Sequence, residues 1–433
     1  MISILNTLYS TVVRSVRDDL VGGLFSILQG RSTFFENESD SKELVEKFKT
    51  EGVLGKASIL LTPTGYSSGV IHNVKPSSSP FGDLTKAGGT VATRVNSSGL
   101  IETATNNTPR IDYAIGSGAI LVEPASTNFL KYSEDFTARA GVGSLANATV
   151  TSNATTDPTG GNNGDLVTLV PNSYANKNIV MSGNELTYSI YLKSPTVAGT
   201  YPLNWYDGSH HRQLVNVTTE WQRVQITFTP NAGPASGRFV YFGDNRGGLG
   251  ETLSSVYVWG GQVEEKGYAS SYIPTTSTTI TRSAESYLDG GDVSLINSPA
   301  GVLFVERQCF DSGTNDWILL TATGEDETTS VGIYGSSSGS NSGRVKTSAS
   351  TEYIGFGGLK TDMTKLALKW DGTTIKTFKD GALIQTAALS GGFTANQLTE
   401  LNLSTGQGFN GRLKQLAVFN EALADAEIVA LTS

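Results

Sequence analysis

The segment Val256–Ser283, VYVWGGQVEEKGYASSYIPTTSTTITRS, restricts the fold more than any other stretch of the chain. Val256, Val258 and, beyond Gly260, Val263 recur with the period of a strand that has one buried face. Gly260-Gly261 interrupts that alternation, which predicts a bulge or a close approach of backbones. Pro274 holds Ile273 extended, and the β-branched run that follows leaves the strand without starting a helix. The segment reads as the last strand of one β-sandwich and the exit into a second.

Composition agrees with short strands and many turns. Charged residues are 16% of the chain, against roughly 25% in an average domain. Gly, at 49 of 433 residues, exceeds its usual share of ~7%. The length predicts two to four domains with sizeable cores. A net charge of −9 argues against a nucleic-acid partner and against docking on anionic membranes. No apolar run reaches the ~18 residues of a membrane span, so no membrane insertion is expected. Cys309 is the single cysteine, which excludes an intrachain disulfide, and with three His it argues against structural zinc.

Residues 1–55 read as a helical N-terminal anchor. Ile2, Leu5, Tyr9, Val12, Val16, Leu20, Leu24 and Leu28 fall mostly three or four apart, one face of a helix. Arg14, Arg17, Asp18 and Asp19 break the stretch, which argues against a signal peptide. A second helix is expected from about Asp40 to Thr50, capped by Asp40 with Glu43 three residues on, and ended by Gly52. Neither stripe finds a core inside this short segment. Each must cover the chain's own β domains or another chain, and both alternatives stay open.

Residues 56–136 are expected to form a small β-rich module. Gly65-Tyr66-Ser67-Ser68-Gly69 matches the G-x-S-x-G hydrolase pattern, but a strand, not a helix, is predicted to follow it. A hairpin turn is the better account. Downstream, ATRVNSSGLIE (Ala92–Glu102) leads through Asn107–Tyr113 into LVEPASTNFLKYSEDF (Leu121–Phe136). This run resembles a module recurrent in tail and fibre proteins of tailed bacteriophages. Relatives usually carry an apolar-aromatic run where this chain has GDLTKAGG (Gly82–Gly89), so its edge strand is expected to differ. Arg94, Arg110, Asp112 and Glu123 are expected to pair internally.

Residues 137–283 read as a jelly roll. LTYSIYLK (Leu186–Lys193), EWQRVQITFTP (Glu220–Pro230), Arg238–Phe242 and Ser254–Val258 are strands separated by turn residues. Their order and wording resemble carbohydrate-binding modules of the jelly-roll class. Sugar recognition needs aromatic faces beside hydrogen-bonding groups. Trp205, Tyr206, Asp207, His210 and His211, with Arg212, supply them in one strand–turn–strand segment. Tyr241, Asp244 and Asn245, with Arg246, supply them in another. Trp221 and Trp259 lie on predicted strands and are assigned to cores. Jelly rolls often hold a structural calcium, but nothing here resembles a dedicated calcium loop, so no cofactor is expected.

Residues 287–433 end in FNGRLKQLAVFNEALADAEIVAL (Phe409–Leu431), a strand followed by a short helix that Asn420 is placed to cap. This resembles the concanavalin A-like (laminin-G-type) sandwich. Glycosidases on that fold set their carboxylates on alternate residues of one strand, and Glu325-Asp326-Glu327 lacks that spacing. Cys309 is read as a small buried hydrophobe.

The fold class expected is therefore mainly β, a helical N-terminal segment followed by tandem β-sandwiches. The phage resemblance implies a non-enzymatic virion structural protein, an appendage on tail or capsid, assembled in the host cytoplasm and able to grip bacterial surface polysaccharide. Its N-terminal helices would dock on other virion proteins, and a homotrimer is compatible with the class. A capsid cement protein without glycan binding is the alternative, and a polysaccharide depolymerase a more distant one.

Overall fold

Strand Gly301–Cys309 carries apolar residues on both faces, and the rest of its unit is arranged to cover both. Leu303 and Val305 point into the space between two sheets, whereas Val302 and Phe304 point the other way into a separate apolar cluster. A strand reads this way when both of its faces are covered, here by a sheet on one side and helices on the other. The computed structural model describes residues 20–433 apart from 78–79, 107, 139–142, 180–183, 232–237, 247–249, 311–312, 325 and 404–407. It divides into two compact units, Met1–Gly89 with Thr105–Pro124 and Ala284–Ser433, and Thr90–Ala104 with Ala125–Ser283. Both are β-sandwiches, so the chain is mainly β.

The first unit packs a ten-stranded sheet against an eight-stranded one. Their facing side chains, among them Ile59, Val122, Leu303, Ile318, Trp370 and Leu416, form its main core. Gly411–Phe419 lies near the centre of the eight-stranded sheet and pairs with Gly301–Cys309, Ala57–Leu61 and Ala119–Val122. The outer face of that sheet is roofed by helix 20–31 and by the helices Glu38–Thr50 and Asp425–Thr432. Phe48 reaches Phe304 and Phe419, with ring centroids 5.8 and 6.4 Å away.

One alternative left open by the sequence is decided for the second helix, and two capping expectations change. The apolar face of Glu38–Thr50 is covered by the chain's own sheet, so that face is not left for another protein; residues 1–19 of the first stripe lie outside the described residues. That helix starts at Glu38 with Asn37 as its N-cap, which puts Asp40 in the first turn instead of at the cap. The last helix begins after Ala424, whose backbone N–H donates to Glu427 at 2.8 Å, so Asn420 does not cap it.

The expected module 56–136 is not a compact body either. Its strands are distributed, with Ala57–Leu61 and Ala119–Val122 in the first unit and Ala92–Val95 paired with Ile101–Ala104 in the second. The sandwich expected over 287–433 accordingly recruits strands from far upstream, with Ala57–Leu61 and Ala119–Val122 both pairing with Gly411–Phe419. Arg110 donates to Glu123 at 2.7 Å and pairs with Glu285, while Arg94 pairs with Glu102 at 2.6 Å and Asp112 with Arg412 at 3.0 Å. Burial pushes the Cys309 thiol up to about 11, as befits a packed side chain.

The second unit is a sandwich of two five-stranded antiparallel sheets. One runs in the order Gly143–Ala146, Tyr174–Ile179, Arg238–Asp244, Gly199–Tyr206 and His210–Val217. The other contains Ser255–Glu264 between Gly164–Thr168 and Leu186–Lys193. Its register against Leu186–Lys193 slips between Ser189 and Tyr191, opposite Gly260-Gly261. Gly260 has φ 61°, and a Cβ on Gly261 would sit 2.6 Å from Leu130, so this bulge needs both glycines. Asn128 ties the exit segment down, its amide donating to Ile273 O at 2.8 Å while its carbonyl accepts from Val263 N at 3.1 Å.

Candidate functional site

Strand alternation sorts the candidate residues of the second unit. Along Gly199–Tyr206, Tyr201 and Leu203 are fully buried between the sheets and Trp205 packs beside them. Asn204 and Tyr206 must then face outward. Along Arg238–Asp244, Val240 and Phe242 belong to the core, so Phe239 and Tyr241 face outward. The cross-strand register aligns these outward positions in rows. Tyr206 sits between His210 and Phe239, and Asn204 sits between Arg212 and Tyr241.

The result is an aromatic platform on the outer face of one sheet. The Tyr206 ring lies 4.7 Å from His210 and 5.9 Å from Phe239, centroid to centroid. Tyr241 continues it, 6.0 Å from His210, 6.4 Å from Phe239 and 5.9 Å from Tyr174. Arg246 covers one end, its guanidinium carbon 4.1 Å from the Tyr174 ring and 5.0 Å from that of Tyr241. Such cation–π contacts hold a guanidinium flat on the ring faces.

Asp244 anchors the polar end. Its carboxylate accepts from Arg246 Nε at 2.7 Å and Nη2 at 2.9 Å, and from Asn204 Nδ2 at 3.1 Å, with Arg212 Nε 3.6 Å away. Burial alone would raise its pKa, but the Arg246 hydrogen bonds and charge, with Asn204 and Arg212, hold it below the usual carboxylate range. Partial desolvation and the neighbouring Arg246 charge push the His210 imidazole down, which favours its neutral form. Two guanidiniums against one carboxylate leave this end with one net positive charge.

The sequence candidates therefore separate. Tyr206, His210, Tyr241 and Asp244 come together on the outer face. Trp205 and His211 lie on the opposite face, where the indole is sandwiched between His211 at 4.6 Å and Phe228 at 4.3 Å. Asp207 organises the turn, accepting from His211 Nε2 at 2.9 Å, Asn231 N at 2.9 Å and Ser209 N at 3.2 Å. Asn245 is a backbone clip, its N–H donating to Ser173 O and its carbonyl accepting from Asn172 N, both at 2.8 Å. Tyr174, Phe239 and Asn204 were not singled out in the sequence. The signal was present for Phe239, which shares the parity of Tyr241 in RFVYF.

Two concavities lie elsewhere in this unit. One, of about 310 Å³, is walled by Trp221, Tyr191 and Leu100. Trp259 is buried as assigned, whereas Trp221 is half-buried and donates its indole N–H to Thr156 O at 2.8 Å. The other, of about 420 Å³, contains Glu134, Asp135 and Asp165. Asp165 accepts the N–H groups of Phe136 and Asn153 at 3.1 and 3.0 Å, and Asp135 accepts that of Thr137 at 3.0 Å. These carboxylates are turn and strand caps. In the first unit, Glu325 lies outside the described residues, and Asp326 opens strand Asp326–Gly335. Among the described residues, no group of three or more His, Cys, Asp or Glu side chains is placed to hold a metal ion, and no helix is long and apolar enough to cross a membrane.

No family model matches the chain, and no curated protein matches it. Solved β-sandwich structures do. The Ruminococcus gnavus IT-sialidase CBM40 bound to α2,3-sialyllactose is 17% identical over 32% of this chain and 84% of its own, with a TM-score of 0.28. Domain 4 of a GH43 extracellular arabinanase from Geobacillus stearothermophilus, in complex with arabinotriose, is 12% identical over 35% of this chain and 73% of its own, also at 0.28. A heptameric SAP-like pentraxin from Limulus polyphemus is 14% identical over 31% of this chain and 70% of its own, at 0.26.

Proposed function

We propose that the second unit binds glycan on the outer face of its Tyr206–Tyr241 sheet and that the chain serves as a virion appendage, attached to tail or capsid, which touches bacterial surface polysaccharide. The observation that carries the glycan reading is the platform itself. The C–H face of a pyranose stacks on aromatic rings, and its hydroxyls need donors and acceptors at the rim. Tyr206, Phe239, Tyr174 and His210 supply the ring surface, and Arg246 and Arg212 supply donors held by Asp244, which Asn204 steadies from below. The net positive charge at that end favours an acidic saccharide over a neutral one. Binding here makes and breaks no bonds.

The virion part of the reading is supported by the phage-like wording of Ala92–Glu102 and Leu121–Phe136. It includes attachment to other virion proteins through the N-terminal segment, assembly as a homotrimer, and residence in the particle after assembly in the host cytoplasm. The test is an array of purified bacterial surface polysaccharides probed with the full chain and with Tyr206→Ala. Binding to acidic polysaccharides that drops about tenfold in the variant supports the proposal. Absence of binding to every polysaccharide overturns it in favour of an architectural cement protein, and new reducing ends would point to a depolymerase.

A further inference from the structure

The first unit holds a cluster of reactive side chains unrelated to the aromatic platform. Strand Gly65–Ser67 turns at Ser68-Gly69 and returns as Val70–Ile71. Ser68 and Gly69 have φ 49° and 84°, the left-handed pair that a two-residue hairpin turn requires. The reversal sets His72 beside Ser67, with Ser67 Oγ 2.8 Å from His72 Nε2. His72 Nδ1 lies 2.9 Å from Asp83 Oδ2, while Asp83 Oδ1 accepts the Asn73 backbone N–H at 2.9 Å. Arg31 forms an ion pair with Asp83.

The arrangement fixes the protons. Asp83, paired with Arg31, is a carboxylate and can only accept, so His72 Nδ1 carries the N–H that faces it. Nε2 is then the acceptor for the Ser67 hydroxyl. His72 is 7% exposed and Asp83 4%, whereas Ser67 is half-buried and Ser68 exposed. The base and its orienter are screened from water, and the nucleophile can be reached from solvent. No helix follows Ser67 in its G-x-S-x-G run, and the chain forms the hairpin expected there. A Ser–His–Asp relay is recognised by its geometry, however, and needs no particular element after the serine.

The geometry points to Ser67, His72 and Asp83 as a nucleophile–base–orienter relay for hydrolysis of carboxylic esters with a small acyl group, an activity separate from glycan binding. Ser67 Oγ attacks the acyl carbon as its proton passes to His72 Nε2, and the carbonyl electron pair moves onto oxygen. The backbone N–H of Ser68, one residue after the nucleophile, has no hydrogen-bond partner among the described residues and is the nearest donor in sequence for that oxyanion. Collapse of the adduct breaks the bond to the alcohol oxygen, which leaves with the proton from His72. Water then gives a proton to the same Nε2, attacks the acyl-serine, and releases the carboxylic acid as Ser67 regains its hydrogen. Asp83 touches no reacting atom and is a positioning residue. A nucleophile at a solvent-facing hairpin tip suits a short acyl group carried on a larger alcohol.

The full chain is treated with an alkyl fluorophosphonate, which loses fluoride to an activated serine, and the modified peptide is identified by mass spectrometry. The expected result is an adduct on Ser67, formed at least 100-fold more slowly in His72→Ala, in line with the 10²–10⁴-fold effect of a general base. Asp83→Asn, which inverts the imidazole tautomer, slows labelling comparably, and Asp83→Glu restores part of the rate; a purely packing role for Asp83 would not produce that order. Ser67→Ala removes one partly exposed oxygen, keeps the melting temperature, and abolishes release of p-nitrophenol from p-nitrophenyl acetate above the buffer rate. Labelling that spares Ser67, or that proceeds at the same rate without His72, overturns the proposal. So does ester hydrolysis that is unchanged in folded Ser67→Ala.

Discussion

Trp205–His211 and Tyr206–His210 are consecutive cross-strand pairs of one hairpin, each an aromatic ring opposite a histidine, yet they face opposite ways. The first is stacked inward, the indole held between His211 and Phe228 at the edge of the core. The second faces outward beside Phe239 and Tyr174, with Tyr241 buried among these rings and Arg246. Composition cannot separate them, because a strand sends neighbours to opposite faces. An aromatic cluster in a β-rich chain becomes a binding surface only after it has been divided by parity. One half of the cluster holds the sandwich together, and the other half is the proposed glycan surface.

Substitutions on the two faces should break that contrast in opposite ways. The largest effect expected is on stability: Trp205→Ala removes the stacked indole and should lower the unfolding free energy by about 3 kcal/mol, read as a shift in the urea midpoint. Polysaccharide affinity of the folded variant should stay within about twofold. On the outer face, Arg246→Ala strips the cover from Tyr174 and Tyr241 and leaves Asp244 short of its main partner. Affinity for an acidic polysaccharide should fall by about tenfold or more, with a stability loss of about 1–2 kcal/mol. Tyr206→Ala should cost about tenfold in affinity with less than ~1 kcal/mol in stability, as measured by calorimetric titration and melting.

Acidification supplies a subtler test. The Asp244 carboxyl is lowered on folding, against its burial, by Arg246 with Asn204 and Arg212. A group lowered in the folded state stabilises it at every pH above the unfolded value, about 4. That contribution is lost as pH falls through the folded value. The melting temperature of the second unit should therefore drop below about pH 4, and Asp244→Asn should flatten that part of the profile. The smallest effect expected is that of Asn245→Ala, within about 0.5 kcal/mol and twofold in affinity, because its links are made by backbone groups.

What the sequence made legible was local. The mainly β fold, the bulge at Gly260-Gly261 and the internal pairing of Arg94, Arg110, Asp112 and Glu123 all rest on neighbours in the chain or on simple charge matching. What it hid was non-local. Ala57–Leu61 and Ala119–Val122 flank Gly411–Phe419 in one sheet, and strands as short as Val70–Ile71 carry no periodicity that would announce their partners. Residues 56–136 therefore looked like a module when their strands are divided between two units, some completing the sheets of the first and Ala92–Val95 with Ile101–Ala104 forming a two-stranded sheet of their own in the second. Tyr206, His210, Tyr241 and Asp244 come together because aromatic and polar residues cluster in sequence, whereas Trp205, Asp207, His211 and Asn245 fall elsewhere because clustering ignores strand parity and turn geometry. The Ser67–His72–Asp83 relay was hidden for a related reason, since only the hairpin reversal brings His72 back to the serine.

The most direct measurement follows the three histidines of the chain, His72, His210 and His211, by imidazole NMR during titration with a purified acidic polysaccharide that binds in the array. The account predicts that the His210 resonances move in proportion to occupancy while those of His211 and His72 stay in place. Binding that moves His211 and leaves His210 unchanged, or that moves none of the three, would contradict the assignment of the outer sheet face as the glycan site.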